Sequence, residues 1–230
     1  MRKGDNRKHE ILCAAEKLFC TKGYEATSVQ DILDVLHASK GGFYHHFASK
    51  EEVLKTLCQQ RAVRAEEYTE SVLASVTDNV ARINEVLYGF MPMRRDEIAF
   101  LAMLLPAMQQ PEGRAMAMLY QDSMLSAYQP LLAEAIKDAT ETGIVCPAVR
   151  GMEGPVLHLL NRCWLDVMEQ VIRCAEEEKR LDTSALLNIL ERYRRSIEVL
   201  LDAPYGSISI IRLEELDEVA AKLLHSIELK

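Results

Sequence analysis

The residues best suited to chemistry in this chain lie between positions 27 and 50, and the chemistry they suit is nucleic-acid binding. Serine, threonine, lysine, tyrosine and histidine side chains occur there beside two adjacent glycines. Hydroxyl, ammonium and imidazole groups donate hydrogen bonds to phosphates and to base edges. Glycine carries no side chain, so it allows DNA to approach the backbone closely. The residues predicted to bind DNA are Thr27, Ser28, Ser39, Lys40, Gly41, Gly42, Tyr44, His45 and Lys50.

Two short helices joined by a tight turn must position these side chains. The apolar residues of the first helix have the i, i+3, i+4 and i+7 spacing of one helix face: Val29, Ile32, Leu33 and Leu36. Either Thr27 or Ser28 caps its start. Ser39 caps the second helix, and the apolar face of that helix is formed by Phe43 and Phe47.

An upstream helix must cover these two helices, because they are too short to bury their own apolar faces. Residues 7–22 supply it and end at Gly23, and the inward residues are Ile11, Leu12, Ala15, Leu18 and Phe19. Tyr44 lies off the face of the two phenylalanines, so its hydroxyl points outward and can donate to a phosphate. Three helices of this kind predict a helix-turn-helix DNA-binding head over residues 1–49.

The stretch from Arg7 to Leu57 resembles the TetR family of bacterial transcription regulators. The likeness covers roughly the first quarter of the chain, and the matching positions are Ile11, Leu12, Ala14, Ala15, Leu18, Phe19, Gly23, Tyr24, Thr27, Ser28, Ile32, Ser39, Lys40, Gly41, Tyr44, His46, Phe47, Lys50 and Glu51. Beyond these positions the family shares an all-helical plan rather than a sequence. The resemblance therefore implies a helical remainder, and it carries no information about a ligand.

Two positions depart from the pattern of the family. The turn of the family usually reads Ala-Gly-Val-Ser, whereas this chain has His37 in the glycine position. We expect His37 to adopt a positive φ, which histidine tolerates better than most residues. Gly42 replaces a small side chain that can touch DNA, so base reading is expected to depend more on Lys40, Tyr44 and His45 and on DNA shape.

Charge is distributed unevenly along the chain. The whole sequence is acidic, with 27 Lys+Arg against 35 Asp+Glu, but residues 1–65 hold 11 basic and 8 acidic residues and are net positive. The head is therefore the part suited to a polyanion. Arg2, Lys3, Arg7 and Lys8 form either a basic arm that reaches a phosphate or the minor groove, or a disordered, solvated start.

Residues 50–230 are predicted to form a helical body that is large enough to bury a sizeable core. The predicted helices cover residues 50–74, 79–91, 95–109, 112–141, 154–178, 183–202 and about 212–228. Breaks are expected at Pro92, Pro111 and Gly143, and kinks or interruptions at Pro106 and Pro130. Only residues 207–211 alternate weakly like a strand, so the predicted fold class is all-α.

The sequence indicates a cytoplasmic protein without a membrane segment, because it has neither a signal peptide nor an apolar run of about 20 residues. The six cysteines, at positions 13, 20, 58, 146, 163 and 174, lack paired short spacings. We expect mostly buried, reduced thiols, with redox sensing as the alternative. His45 and His46 have no further ligand at metal spacing, and no catalytic motif occurs, so we predict no metal, no cofactor and no enzyme activity.

Methionines concentrate between positions 91 and 124, where seven of the ten occur with aromatic residues interleaved. Thioethers and aromatic rings suit a cavity that adapts to an apolar or planar guest, although an ordinary core has the same pattern. Members of the family that this chain resembles typically bind an inducer in this part of the chain. The predicted ligand-binding residues are Met93, Phe100, Met103, Met116, Tyr120, Met124, Tyr128, Trp164 and Met168.

The helices predicted over residues 154–178 and 183–202 have apolar faces broad enough for two neighbours. Packed against their two-fold copies they would form a four-helix bundle, but the core of one chain explains them equally well. The resemblance favours the homodimer. The predicted interface residues are Val156, Leu160, Val167, Val171, Leu186, Leu190, Tyr193 and Ile197.

These observations together predict an all-α homodimeric transcription regulator with a helix-turn-helix head and a ligand-sensing, dimerising body. As the resemblance implies, it binds a palindromic operator in double-stranded DNA as a repressor and is released by a small apolar or aromatic molecule. The alternative is an all-helical adaptor or co-regulator that acts by protein contact and has little affinity for DNA. The missing side chain at Gly42 and the acidic total charge support that alternative.

Overall fold

A computed structural model describes residues 3–91, 111–174, 183–212, 214 and 221. The regular structure of these residues is entirely helical: α1 (Lys3–Lys22), α2 (Val29–Leu36), α3 (Lys40–Tyr44), α4 (Lys50–Leu73), α5 (Asn79–Phe90), α6 (Pro111–Glu141), a 3-10 helix (Pro147–Val149), α7 (Glu153–Arg173) and α8 (Thr183–Leu200). The predicted all-α fold class is confirmed. The predicted helix over residues 95–109 and nearly all of the helix over 212–228 lie outside the described residues. In the described part, no helix combines the length and the apolar character needed to cross a bilayer.

The described residues divide into two compact units. The N-terminal unit comprises residues 3–61 and 111–120, and the C-terminal unit comprises residues 62–91, 121–174 and 183–212 with 214 and 221. The predicted boundary between the head and the body, at residues 49 and 50, coincides with the start of α4 and stays a prediction.

The first helix of the N-terminal unit, α1, begins at Lys3, four residues earlier than predicted. Residues 3–8 are therefore helical, which corrects the expectation of a disordered, solvated start. Contact of the basic residues at this end with a phosphate or the minor groove stays a prediction. The polar residues at this end have no apolar periodicity, so the sequence pattern did not mark them as helix. The inward face of α1 carries Ile11, Leu12, Ala14, Ala15 and Phe19, while Leu18 is only half-buried.

A capping box starts α2. The Ser28 hydroxyl oxygen accepts the N–H of Asp31 at 3.1 Å, and the Asp31 carboxylate accepts the N–H of Ser28 at 2.7 Å. Ile32 and Leu33 on this helix are buried. His37 follows with φ 48° and ψ 45°, so the positive φ that the family pattern predicts for this turn is confirmed.

The short helix α3 follows from the Ser39 cap, whose hydroxyl oxygen accepts the N–H of Gly42 at 3.3 Å. Phe43 and Phe47 are both buried, as predicted. Their ring centroids lie 6.0 Å apart. Tyr44 ends the helix, and its side chain is 56% exposed. Burial of the two phenylalanines therefore fixes which side of α3 faces solvent.

The bounds of α4 match the prediction to within one residue, but its buried stripe does not. Val53, Leu54 and Leu57 are buried as expected, whereas Val63 and Tyr68 are exposed. The stripe continues instead through small residues at helical spacing: Cys58, Ala62, Ala65 and Thr69. Residue size misled the prediction, because helical spacing rather than bulk decides which side chains face the core.

A buried hydroxyl pair in the C-terminal unit joins α4 and α6. Thr69 Oγ1 and Tyr128 Oη lie 2.9 Å apart, and the Phe90 ring meets the Tyr128 ring edge-on with centroids 5.7 Å apart. A Cβ atom at Gly89 would lie 3.0 Å from the Tyr128 hydroxyl oxygen and nearer still to Thr69 Oγ1. Glycine at position 89 therefore allows the α5 backbone to pack directly on this pair.

Helix α6 runs without interruption through Pro130, and Pro111 is its first residue. The predicted break at Pro111 is therefore the start of the helix, where proline is well tolerated, and the predicted interruption at Pro130 does not occur. Proline has no N–H, so the carbonyl four residues before Pro130 lacks its usual donor within the helix. This side of the helix is exposed, so that carbonyl can accept a hydrogen bond from water. Gly143, with φ 74°, follows the end of α6.

Helices α7 and α8 pack against each other in the C-terminal unit. Seven of the eight residues predicted for the dimer interface are buried within a single chain: Val156, Leu160, Val167, Val171, Leu186, Leu190 and Ile197. The eighth, Tyr193, is half-buried and donates its hydroxyl to the Asp166 carboxylate at 2.7 Å. In one chain these residues thus form intrachain core, as the alternative interpretation of their pattern predicts, and their assignment to a dimer interface stays a prediction.

The segment after α8, residues 203–212, is irregular and is held by two polar side chains. The buried Glu198 carboxylate accepts the N–H of Gly206 at 2.7 Å. On α5, the Asn84 side-chain oxygen accepts the N–H of Ser209 at 2.9 Å. The weak alternation over 207–211 does not form a strand, because these side chains take the place of a neighbouring strand as hydrogen-bond partners.

Candidate DNA-binding interface

The solvent side of α3 carries a compact set of hydrogen-bond donors. Lys40, Tyr44 and His45 are all exposed. Their positions follow from the burial of Phe43 and Phe47, which turns the opposite side of the helix outward. An ammonium group, a phenol and an imidazole presented in this way can bind phosphates or base edges.

Neither glycine of α3 is required by the fold. Neither Gly41 nor Gly42 is among the glycines with a positive φ. A Cβ atom at Gly41 would meet nothing within 4 Å, and one at Gly42 would lie an ordinary 3.5 Å from Ser39 Oγ. Glycine lowers helix stability by about 1 kcal/mol relative to alanine. Two glycines that the fold does not require therefore indicate a surface where another molecule approaches the backbone closely.

Three of the predicted hydroxyl residues are used within the head. The Thr27 side chain is buried and donates its one hydroxyl proton to the Gly23 carbonyl at 2.7 Å. The Ser28 hydroxyl donates to the Asp31 carboxylate at 2.7 Å, and Ser39 caps α3. The Thr27 hydroxyl proton thus already has a partner in the head, and the assignment of Thr27 to DNA binding stays a prediction. These residues hold the two helices in position.

Lys50 also has partners inside the chain. Its ammonium donates to the Tyr24 carbonyl at 2.9 Å and lies 4.1 Å from the centroid of the Tyr24 ring. The Tyr24 hydroxyl donates to Glu51 at 3.3 Å. Burial, followed by the nearby Glu51 carboxylate, raises the pKa of Tyr24 well above its usual range, so the hydroxyl remains a donor. An ammonium group has three donors, so Lys50 can join the Tyr24 loop to α4 and still reach a phosphate.

The carboxylate in the first turn of α2 is paired with a cation. Asp31 lies 2.7 Å from the Lys22 ammonium and also accepts hydrogen bonds from Ser28. The bond from Lys22, followed by those from Ser28, holds the pKa of Asp31 well below its usual range. The negative charge at the start of α2 is therefore offset by Lys22, which limits its repulsion of a polyanion.

His45 and His46 lie side by side at the end of α3, with ring centroids 4.9 Å apart. Over the residues that the structure describes, no group of three or more histidine, cysteine, aspartate or glutamate side chains is arranged to hold a metal ion. His45 is exposed and His46 is half-buried. The pair is thus placed to donate hydrogen bonds from the end of the exposed helix.

The described part of the predicted ligand site consists of buried side chains. Tyr120, Met124, Tyr128, Trp164 and Met168 are all buried, and Trp164 is the only tryptophan of the sequence. Met93, Phe100 and Met103 lie outside the described residues, and the Met116 side chain does too. The assignment of these residues to a ligand stays a prediction.

The structure defines an all-α protein whose N-terminal helices have the helix-turn-helix arrangement. Residues 11–57 match the family model of bacterial regulatory proteins of the TetR family, and the resemblance found in the sequence is thereby confirmed. This family consists of DNA-binding transcription regulators rather than enzymes.

The similar proteins with curated descriptions share mainly this N-terminal region. The HTH-type transcriptional activator FasR of Mycolicibacterium smegmatis is 30% identical over 86 residues, which cover 37% of this chain and 39% of FasR. The HTH-type transcriptional repressor KstR2 of Mycobacterium tuberculosis is 43% identical over 53 residues, which cover 23% of this chain and 26% of KstR2. Each match thus spans well under half the length of the relative.

The structural likeness extends further along the chain. A protein described as a transcriptional regulator from Saccharomonospora viridis, solved in complex with choline, aligns with a TM-score of 0.57 at 18% identity. The alignment covers 84% of this chain and 96% of that protein. At this identity the likeness shows a shared fold.

Proposed function

We propose that this chain is a ligand-responsive transcription regulator that binds a palindromic operator as a homodimer. The observation that carries the proposal is the exposed side of α3, where Lys40, Tyr44 and His45 surround glycines that the fold does not require. The proposal includes a cytoplasmic location, because a bacterial operator lies there.

Each side chain of this surface has a role in the proposed complex. Lys40, at the start of α3, reaches base edges or a phosphate where the helix enters the major groove. Tyr44 donates its hydroxyl to a phosphate, and His45 adds a donor beside it. Gly41 and Gly42 let the DNA backbone lie against the helix. Lys50 holds the Tyr24 loop with one donor and contacts a phosphate with another.

Two heads are needed for a specific operator. A pair of recognition helices enters successive major grooves when their separation is about 34–36 Å, one turn of DNA. A homodimer related by a two-fold axis meets this requirement and implies a palindromic site. We propose that α7 and α8 contribute to the dimer through the sides that their intrachain contact leaves exposed.

The body is proposed to bind a small apolar or aromatic molecule. The buried side chains that support this include Met124, Tyr128, Trp164 and Met168, which offer polarizable and aromatic surface. The structural neighbour solved with choline gives further support, since it is a protein of this fold in complex with a small molecule. A ligand that prefers one arrangement of the dimer shifts the population of DNA-competent molecules by its differential affinity.

The proposed sign of regulation is repression relieved by the ligand. The relatives include both a repressor and an activator, so their names support either sign. Repression is proposed because it is the commoner behaviour of the family that this chain resembles. Release by a ligand also requires only two states of the protein, one bound to the operator and one free of it.

Selection of bound duplexes from a random DNA pool tests the DNA-binding part of the proposal. We expect the purified chain to enrich a palindrome, and Lys40→Ala and Tyr44→Ala to lose it. Lys137→Ala is the matched control, because Lys137 is an exposed lysine on α6 in the C-terminal unit. Absence of enrichment at low salt would instead support the adaptor that acts by protein contact. Equal enrichment by the wild type, Lys40→Ala and Tyr44→Ala would contradict the assignment of the DNA-binding surface to α3.

A further inference from the structure

A largely apolar cavity lies beside α8 in the C-terminal unit. It has a volume of about 300 Å³ and lies between the helix and the irregular segment that follows it. Well-packed interiors leave few voids larger than a water molecule, whereas sites for small molecules have volumes from about 300 Å³ upward. The apolar side chains of its wall are Leu187 and Leu190 of α8 and Ile208, Ile210 and Ile211 of the segment.

The cavity is accessible from solvent beside Leu187. This side chain is 40% exposed, whereas Leu190, Ile208 and Ile210 are buried. A molecule that enters past Leu187 therefore exchanges water for contact with apolar side chains. Such an exchange is favourable roughly in proportion to the apolar area removed from water.

The segment is held between two helices, which maintains the space beside α8. From α8, the Glu198 carboxylate accepts the N–H of Gly206 at 2.7 Å and the N–H of Ile208 at 3.4 Å. From α5, the Asn84 side-chain oxygen accepts the N–H of Ser209 at 2.9 Å. Movement of the segment onto α8 would break the bond to Asn84, so the cavity is not free to collapse.

The charged side chains of the wall are paired with each other or with neighbours. Arg194 Nε donates to the Glu191 carboxylate at 2.8 Å, and its guanidinium also contacts Glu198. The hydrogen bond from Arg194 lowers the pKa of Glu191, so this pair stays charged at neutral pH. A charged guest would have to compete with these pairs. Water is also disfavoured, because it needs two to four polar partners in a cavity.

We propose that this cavity is a binding site for a small neutral molecule of apolar or aromatic character. The site is separate from the residues predicted to bind the regulatory ligand, since Tyr128 and Trp164 are not part of its wall. The inference therefore does not rest on the proposed function. Apolar walls supply the attraction, and the paired charges supply the preference for a neutral guest.

Titration of the full chain with toluene tests the proposal. Nuclear magnetic resonance of ¹³C-labelled isoleucine methyl groups reports binding, because an aromatic ring shifts the signals of the methyl groups that it contacts. We expect saturable shifts at Ile208 and Ile210, and none at Ile11 and Ile32 in the N-terminal unit. Benzoate and benzylammonium carry a charge on the same ring, so they should bind at least about tenfold more weakly.

A variant at the mouth shows whether toluene occupies this cavity. Leu187→Phe adds bulk to the wall and should weaken toluene binding about fivefold or more. Val199→Phe is the matched control, because Val199 is a 67% exposed aliphatic residue of the same helix outside the wall. It should bind toluene like the wild type. Ile210→Phe fills the cavity from the opposite wall and provides a second variant if Leu187→Phe loses helix by circular dichroism.

Four outcomes would overturn the proposal. The first is the absence of saturable shifts at Ile208 and Ile210 in the wild type. The second is unchanged toluene affinity in the folded Leu187→Phe and Ile210→Phe variants. The third is binding of benzoate or benzylammonium as tight as that of toluene. The fourth is a set of shifts that follows the protein concentration instead of the toluene concentration, which would place a second copy of the chain in the cavity.

Discussion

Asp31 connects the charge of the head to its stability. A carboxyl group whose folded-state pKa is lowered contributes stability that is present above its unfolded pKa and is lost as the pH falls through the folded-state pKa. The hydrogen bonds from Lys22 and Ser28 lower the pKa of Asp31, so this sign applies to it. Acid should therefore remove the stabilisation that the charged cap gives to α2.

We expect Asp31→Asn to flatten the acid side of the pH–stability profile. Thermal unfolding followed by circular dichroism, repeated over the acidic pH range, measures this slope for the wild type and the variant. Asp34→Asn is the control on the same helix, where the carboxylate accepts a hydrogen bond from the Gln30 amide instead. Parallel profiles for the wild type and Asp31→Asn would contradict the assignment.

Tyr44 and Lys50 are expected to affect DNA binding in different ways. Tyr44→Phe removes an exposed hydroxyl, so it should weaken binding about fivefold, the value of about one hydrogen bond, without changing stability. Lys50→Ala also removes the bond to the Tyr24 carbonyl, so it should lower the free energy of unfolding by about 1–2 kcal/mol as well. DNA titrations and melting curves of both variants separate the two effects. Equal stability of Lys50→Ala and wild type would show that the intrachain bond contributes little.

At the scale of the elements, the helix packing around Gly89 on α5 leaves no room for a side chain. Gly89→Ala forces a methyl group against Thr69 Oγ1 and the Tyr128 hydroxyl, and we expect it to lower the free energy of unfolding by about 1–3 kcal/mol. Gly154→Ala on α7 is the matched control, because a Cβ atom there meets nothing within 4 Å. The control should be neutral or stabilising by up to about 1 kcal/mol. Urea unfolding measures both.

A double variant identifies the cause of the Gly89 effect. Thr69→Ala removes the oxygen atom nearest to the added methyl group, so part of the stability that Gly89→Ala removes should be recovered when the two changes are combined. Additive effects would mean that the strain arises elsewhere around Gly89.

The sequence predicted elements best where local signals agreed. Capping residues and apolar spacing marked α2 and α3, and the family pattern predicted the positive φ of His37. The start of α1 was missed because residues 3–6 lack an apolar stripe. The core side of α4 was partly wrong because small residues such as Ala62 and Ala65 fill it.

Features that depend on distant contacts could not be predicted. The internal partner of Lys50 is the carbonyl of Tyr24, 26 residues earlier in the chain, which no spacing rule places. Similarly, the burial of Val156 and Leu186 within one chain depends on the packing of α7 on α8. An apolar helix face that packs within one chain has the same sequence pattern as one that packs on a second copy of the chain. Periodicity therefore does not distinguish the two.

For the molecule as a whole, the uneven charge predicts a strong dependence of DNA binding on salt. Residues 1–65 hold 11 basic and 8 acidic residues, whereas the remainder of the chain holds 16 basic and 27 acidic residues. Attraction to the phosphates must therefore come from the few cations of the head, and salt screens it readily.

We expect operator affinity to fall about a thousandfold or more between roughly 50 and 200 mM salt, which corresponds to about six to ten phosphate contacts in the dimer. Lys40→Ala should reduce the slope of log affinity against log salt by about 1 for each phosphate that the variant no longer neutralises. Fluorescence anisotropy with a labelled duplex gives this slope. A slope near zero would favour the adaptor, because protein contacts without phosphate neutralisation release few counterions.

Regulation by a ligand would also be reciprocal at this scale. A coupling of about 1–3 kcal/mol between the body and the operator changes the affinity for either partner by the same factor. Operator DNA should therefore weaken the binding of an inducer as much as the inducer weakens the binding of DNA. Titration of each partner in the presence and in the absence of the other measures this equality.

The single tryptophan makes the chain a selective optical reporter. Trp164 lies in the C-terminal unit and is 6% exposed, so its emission should be blue-shifted in the folded state and should move to longer wavelength when that unit unfolds. The N-terminal helices carry no tryptophan, and their melting is therefore silent at the same wavelengths. A difference between the tryptophan signal and the far-ultraviolet circular dichroism signal would consequently reveal whether the two units lose their structure in separate steps.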